Sequence, residues 1–185
     1  MSEELNLSKK MYEKKDFFDE LSKGDSIINQ LTIKYSRELR IDERPNRCRS
    51  IIFNPSLDKI IGIERKRPNK EKYTVYPGGG LEDYDRNAKN GAYRELYEEL
   101  GLSDDQVYLS NKIIELDGEF FFIGIADEEF EDLSIGGPEA ERDTNESGTY
   151  NPKWISIESL ETANMFPQEI TSVISLSMEQ IKNGE

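Results

Sequence analysis

Residues 77–102 open Pro77-Gly78-Gly79-Gly80-Leu81-Glu82-Asp83-Tyr84-Asp85 and, after eight intervening residues, continue Arg94-Glu95-Leu96-Tyr97-Glu98-Glu99-Leu100-Gly101-Leu102. The three glycines follow the strand-like run Tyr73-Thr74-Val75-Tyr76, which Pro77 stops. From about Asn87 to Leu100 the chain reads as a helix, with Gly101 as a left-handed cap. A helix turns about 100° per residue, so Glu95, Glu98 and Glu99 share one arc of its surface. Like charges at (i, i+3) and (i, i+4) repel by a few tenths of a kcal/mol per pair, and Arg94 offsets part of this through Glu98. An acidic arc of this kind is ordinarily a solvated face. Here it follows a glycine turn whose backbone can point carbonyls and amides at a ligand. Carboxylates plus a carbonyl, completed by water and substrate oxygens, are the ligands Mg²⁺ prefers.

Working outward, the elements are ordered strands, helix, strands, helix. Arg49–Phe53, a turn at Asn54-Pro55-Ser56-Leu57-Asp58, and Lys59–Arg65 read as a hairpin. Tyr73–Tyr76 is a third strand, and the helix of residues 87–100 follows. Strands are expected at 107–116, at 119–126 and around Lys153–Ile157, with a last helix over roughly 167–182 and an acidic loop over 127–150. This is an α+β arrangement, a layered α/β/α sandwich. Residues 1–45 stand apart as an extension, and 46–185 form the main domain. In the extension, Leu7, Met11, Phe18 and Leu21 recur at helical spacing and Gly24 ends the pattern. That amphipathic helix is expected to pack on the body, or its apolar stripe binds a partner or joins a second copy as a homodimer.

Composition narrows the chemistry. The 185 residues hold 24 Lys and Arg against 38 Asp and Glu, a net charge of −14. Residues 1–76 carry 17 basic and 13 acidic groups, whereas residues 77–185 carry 7 and 25. Such a field disfavours duplex nucleic acid and suits divalent cations. The chain has no histidine, which excludes Ser-His-Asp and Cys-His catalysis and His-ligated zinc. A single cysteine, Cys48, makes no internal disulfide, and the N-terminus lacks an apolar leader core. A reducing, cytoplasmic setting with no membrane span is expected, and Asn145-Glu146-Ser147 is then only a polar loop.

The glycine–helix segment resembles the Nudix hydrolase box, G-x5-E-x7-R-E-U-x-E-E-x-G-U, where U is bulky and aliphatic. Gly79 takes the first position, and Arg94, Glu95, Leu96, Glu98, Glu99, Gly101 and Leu102 match the rest in order. Asp85 stands where the family has Glu, and its spacer to Arg94 is one residue longer. The resemblance covers about residues 48–180. It implies a Mg²⁺-dependent pyrophosphohydrolase, with Mn²⁺ able to substitute, acting on a small nucleoside diphosphate linked to another group, such as ADP-ribose or a nucleoside triphosphate. It implies metal ligands at Gly78, Glu95, Glu98 and Glu99, with Arg94 orienting the glutamates. The general base is then a carboxylate, from the helix or from Glu139 or Glu141 in the acidic loop. Substrate contacts are implied at Arg65 and Arg67, at Gly79 and Gly80, and at Asn164 within Asn164-Met165-Phe166-Pro167. Trp154 reads as core. No marker for a particular substrate is present: the diadenosine position reads Gly118-Glu119-Phe120, without tyrosine. A nucleotide-sensing module without catalysis and an RNA 5′-end pyrophosphohydrolase are the alternatives.

Overall fold

The computed structural model describes residues 37–134 and 148–184. The extension helix read at Leu7–Leu21, the loop carboxylates Glu139 and Glu141, and the Asn145 sequon lie outside them. Within them the strands are β1 (Arg37–Glu38), β2 (Arg47–Phe53), β3 (Lys59–Lys66), β4 (Tyr73–Val75), β5 (Gly78–Gly80), β6 (Val107–Leu116), β7 (Glu119–Ala126), β8 (Thr149–Ser156) and β9 (Met165–Phe166). Helix α1 spans Ala88–Leu100 and α2 spans Gln168–Lys182. The sheet runs β1-β6-β7-β2-β3-β4-β9, with β5 also on β2 and β8 also on β3. It is mixed: β2 pairs in parallel with β7 and β4 with β9, and the other pairs are antiparallel.

Each helix covers one face, so the expected α/β/α layering holds. Alternation along the strands builds two cores. Odd positions Ile51, Phe53, Phe121, Ile123 and Ile125 meet Ile170, Ile174 and Met178 of α2. Even positions Cys48, Ile52, Phe120 and Phe122 meet Ala88, Ala92, Leu96 and Leu100 of α1. Small residues bring α1 close. A Cβ on Gly91 would sit 2.5 Å from Leu81 Cδ1. The helix begins where Asn87 Oδ1 accepts from Asn90 N–H (2.9 Å) and ends at Gly101, φ 69°.

Three local readings change. The hairpin of β2 and β3 is joined only at its tip, Phe53 opposite Ile60. Beyond it the strands part, because β2 is drawn along seven residues of β7 and β3 along eight of β8. The glycines do not merely end a strand. They form β5, with Gly78, Gly79 and Gly80 opposite Arg49, Cys48 and Arg47. Glycine has low strand propensity, yet here only the absence of a Cβ permits the contact: one on Gly78 would lie 2.1 Å from the Cys48 carbonyl oxygen. Finally, the sheet starts N-terminal to Pro45, at β1, where Arg37 pairs with Glu43 (2.8 Å) and Glu115 (2.6 Å).

Candidate active site

The carboxylate arc of α1 faces β5. Gly78 N–H donates to Glu99 Oε2 at 2.6 Å. Gly79 packs so closely on Glu95 that a Cβ there would lie 2.5 Å from its Oε1. Gly80 accepts from Arg94 Nη2 at 2.8 Å through its carbonyl. The glycine strand therefore fixes the arc by direct contact at all three residues.

Arg94 is the hub of the arc. Its Nη1 donates to Glu95 Oε1 (2.9 Å) and Glu98 Oε2 (3.0 Å). Its Nε and Nη2 form a fork on Asp85 Oδ1 and Oδ2, at 3.1 and 3.0 Å. A bidentate guanidinium–carboxylate pair is both strong and directional. Asp85 also accepts from Glu82 N–H at 2.9 Å and is 6% exposed. Burial would raise its carboxyl, but Arg94 and the Glu82 amide outweigh that and hold it below the usual carboxylate range. Burial likewise works to lower Arg94, and the surrounding carboxylates overcome it and raise it. The shorter acid and longer spacer thus still meet: Asp85 takes the guanidinium from the side opposite the glutamates. Cys48, beneath this network, has its thiol pushed up to about 12 by burial and by Asp85 and Glu95, which makes it inert.

The other residues singled out in the sequence lie elsewhere. Arg65 is half-buried on β3, where it donates to the Tyr150 hydroxyl and stacks 4.2 Å from that ring. Arg67 is exposed just beyond. No bond among the described residues ties either to the carboxylate arc. Asn164 adopts φ 51°, donates to the Lys72 carbonyl (3.2 Å) and accepts from Thr74 N–H (3.1 Å) through its own carbonyl. It secures the β4–β9 junction. Trp154 sits at the rim of the α1 core, with its indole N–H on the Phe130 carbonyl at 3.0 Å.

One feature escaped the sequence reading. A cavity of about 390 Å³ opens at the end of the α2 layer, floored by Arg49, Glu119 and Phe121 and walled by Val75, Phe166 and Gln168. It lies on the opposite face of the sheet from the arc, and the two are linked through the backbone, where Arg49 is the register partner of Gly78. Its signal was present: Arg49 and Glu119 occupy the same alternating positions as Ile51, Phe53, Phe121 and Ile123, so two charges face inward.

Among the described residues, no group of three or more His, Cys, Asp or Glu is arranged to hold an ion unaided. Mg²⁺ commonly takes only one or two carboxylates and completes its shell with water and substrate phosphate. The hard oxygens of Glu95, Glu98 and Glu99 beside the β5 backbone fit that requirement.

The NUDIX domain model matches residues 44–174. The chain belongs to the Nudix hydrolase family, the class of pyrophosphohydrolases that act on phosphorus-containing anhydrides. Two solved structures share the fold. A Caenorhabditis elegans Ap4A hydrolase complex is 14% identical at TM-score 0.52, covering 76% of this chain and 99% of that one. The Mycobacterium smegmatis Nudix hydrolase RenU is 14% identical at TM-score 0.51, covering 75% and 87%. A MutT structure from work on Aliivibrio salmonicida and Vibrio cholerae is 22% identical at TM-score 0.49, covering 75% and 99%. No curated protein sequence matches the chain. Among the described residues no helix is long and apolar enough to cross a membrane.

Proposed function

We propose that the protein hydrolyses the pyrophosphate bond of a nucleoside diphosphate carrying a further group, or of a nucleoside triphosphate, with Mg²⁺ or Mn²⁺ as cofactor. The observation that carries this reading is the Arg94-centred arc of Glu95, Glu98 and Glu99 held against the β5 glycines. When bound there, the cation would neutralise phosphate charge and acidify the attacking water. The chain's own residues do the positioning. Arg94 Nη1 holds Glu95 and Glu98 together, and the Gly78 amide holds Glu99, so the carboxylates are positioned before substrate arrives. Asp85 keeps Arg94 in place from behind. With histidine absent, a carboxylate takes the proton from water, supplied by the arc or by Glu139 or Glu141. The Arg49–Phe166 cavity, one strand away, receives the nucleoside. A cytoplasmic location and a small-molecule substrate accord with this chemistry.

The test is a panel of nucleoside triphosphates and nucleoside diphosphate conjugates incubated with Mg²⁺ or Mn²⁺, with products resolved by chromatography. Metal-dependent release of a nucleoside monophosphate, abolished by chelation, is expected. Silence across the panel, with tight nucleotide binding retained, would make the protein a sensor.

A further inference from the structure

The cavity on the α2 face has a distinctive polar floor. α2 closes the odd-face core from Ile170 onward but stops at Gln168. The ends of β2 and β7 are thus left as an uncovered floor. Arg49 and Glu119 lie there on neighbouring parallel strands, Arg49 opposite Phe121 and Glu119 opposite Arg47. Arg49 donates from Nε to Glu119 Oε2 at 2.5 Å and from Nη1 to the Tyr76 carbonyl at 3.3 Å. Its Nη2 makes no hydrogen bond among the described residues. Glu119 meets Arg47 only at 4.0 Å through its other oxygen. A side-chain cation with an unspent donor and a carboxylate with acceptor capacity therefore stand side by side. Phe121 is buried in the floor, while Phe166 in the wall is 40% exposed.

We propose that this pair makes the protein selective for guanine, with Glu119 accepting from the base's N1–H and N2–H and Arg49 Nη2 donating to its O6. The proposal rests on the hydrolase reading and refines its substrate. A carboxylate offers two acceptors side by side, so its complement is two adjacent N–H donors. Among the common bases only guanine presents them on one edge, with a carbonyl acceptor beside them. Adenine and cytosine present one amino donor next to a ring-nitrogen acceptor, which would face a carboxylate oxygen lone pair to lone pair. Uracil presents one N–H between two carbonyls. A volume of about 390 Å³ falls in the range that takes a small ligand. The exposed Phe166 ring supplies a stacking surface indifferent to base identity. Sites that hydrogen-bond a substrate group reject analogues lacking it, because their polar atoms are left unpaired.

Two readouts separate this proposal from the reading beneath it. The first is kcat/KM with Mg²⁺ for GTP, ATP, CTP and UTP, or for guanosine and adenosine forms of whichever conjugate is turned over. The second is binding of GMP against AMP without metal, by calorimetry. Guanine is expected to exceed adenine at least tenfold in both. Glu119→Gln should bring the ratio within about threefold, and Phe166→Ala should weaken all bases while keeping the ratio. Melting temperatures establish that both variants are folded. Equal turnover of all bases, preference for adenine, or a guanine preference that survives Glu119→Gln overturns the proposal and leaves the hydrolase intact. If nothing in the series is hydrolysed, the hydrolase reading fails, and GMP against AMP binding still decides the pocket.

Discussion

The two faces of the sheet are built from the same alternating strands and are closed in opposite ways. On the α1 face an apolar helix stripe is joined to the sheet by a charge network: Asp85, Glu95 and Glu98 converge on Arg94, and Glu99 reaches the Gly78 amide. On the α2 face Ile170, Ile174 and Met178 close the core by packing, with Thr171 Oγ1 and the Tyr76 hydroxyl sharing one buried hydrogen bond at 2.9 Å. The first face holds its carboxylates by hydrogen bonds and ion pairs. The second stops short and leaves a cavity. The charge network and the cavity sit on either side of β5, which touches both through Gly78.

The largest expected effect comes from that shared strand. Gly78→Ala would place a Cβ 2.1 Å from the Cys48 carbonyl and 2.6 Å from Arg49 Cα, at φ 141°. Backbone cannot yield there as a side chain could, so soluble folded protein should be lost, as judged by expression and circular dichroism. A stable Gly78→Ala protein would show that β5 does not lie on β2 as described.

Next is Arg94→Met. It strands Asp85, whose side chain is 4% exposed, and Glu95, at 11%, without their partner. Removing one partner of a buried ion pair costs about 3 kcal/mol, a fall on the order of 10 °C in melting temperature for a chain of this size. The network also sets an acid dependence. Asp85 is held below its ordinary value of 3.8. The folded protein therefore binds fewer protons than the unfolded chain as pH falls through that value. Its contribution is fully present above that range and is lost as pH drops below about 4. Urea midpoints at pH 7 and pH 3 should diverge more for the parent protein than for Asp85→Asn. Equal divergence would place the acid sensitivity elsewhere.

The smallest effect belongs to the other face. Ile174→Val in the α2 core should cost about 1 kcal/mol, with the same pH dependence as the parent, because no charge network touches it. A change in acid response with this substitution would mean that the two faces are coupled.

Where the sequence was legible, local rules decided the outcome. The α1 helix is bounded by an Asn87 cap and a Gly101 stop, and both act over one turn. The apolar run of 119–126 and the β-branched and apolar residues of 107–116 flank Asp117-Gly118, a turn dipeptide, and both strands stand where they were expected. The spacing of Glu95, Glu98 and Glu99 identified the arc without any structure. What escaped depended on distant partners. The glycines became β5 only because β2 lies beside them. The β2–β3 hairpin parts because β7 and β8 compete for its strands. Arg49 and Glu119 are far apart in sequence, and only the parallel pairing of β2 with β7 places them on one floor.

The central claim, that the α1 carboxylates perform metal-dependent hydrolysis, is tested most directly by turnover of Glu98→Gln and Glu99→Gln at saturating substrate and Mg²⁺. Each change keeps shape and removes charge from a face where like charges repel. Both variants should fold, with melting temperatures within a few degrees of the parent's because Gln keeps an acceptor for Arg94 and for the Gly78 amide, and lose at least ~10²-fold in kcat. Near-parental turnover in both, with Mg²⁺ dependence unchanged, would contradict the account.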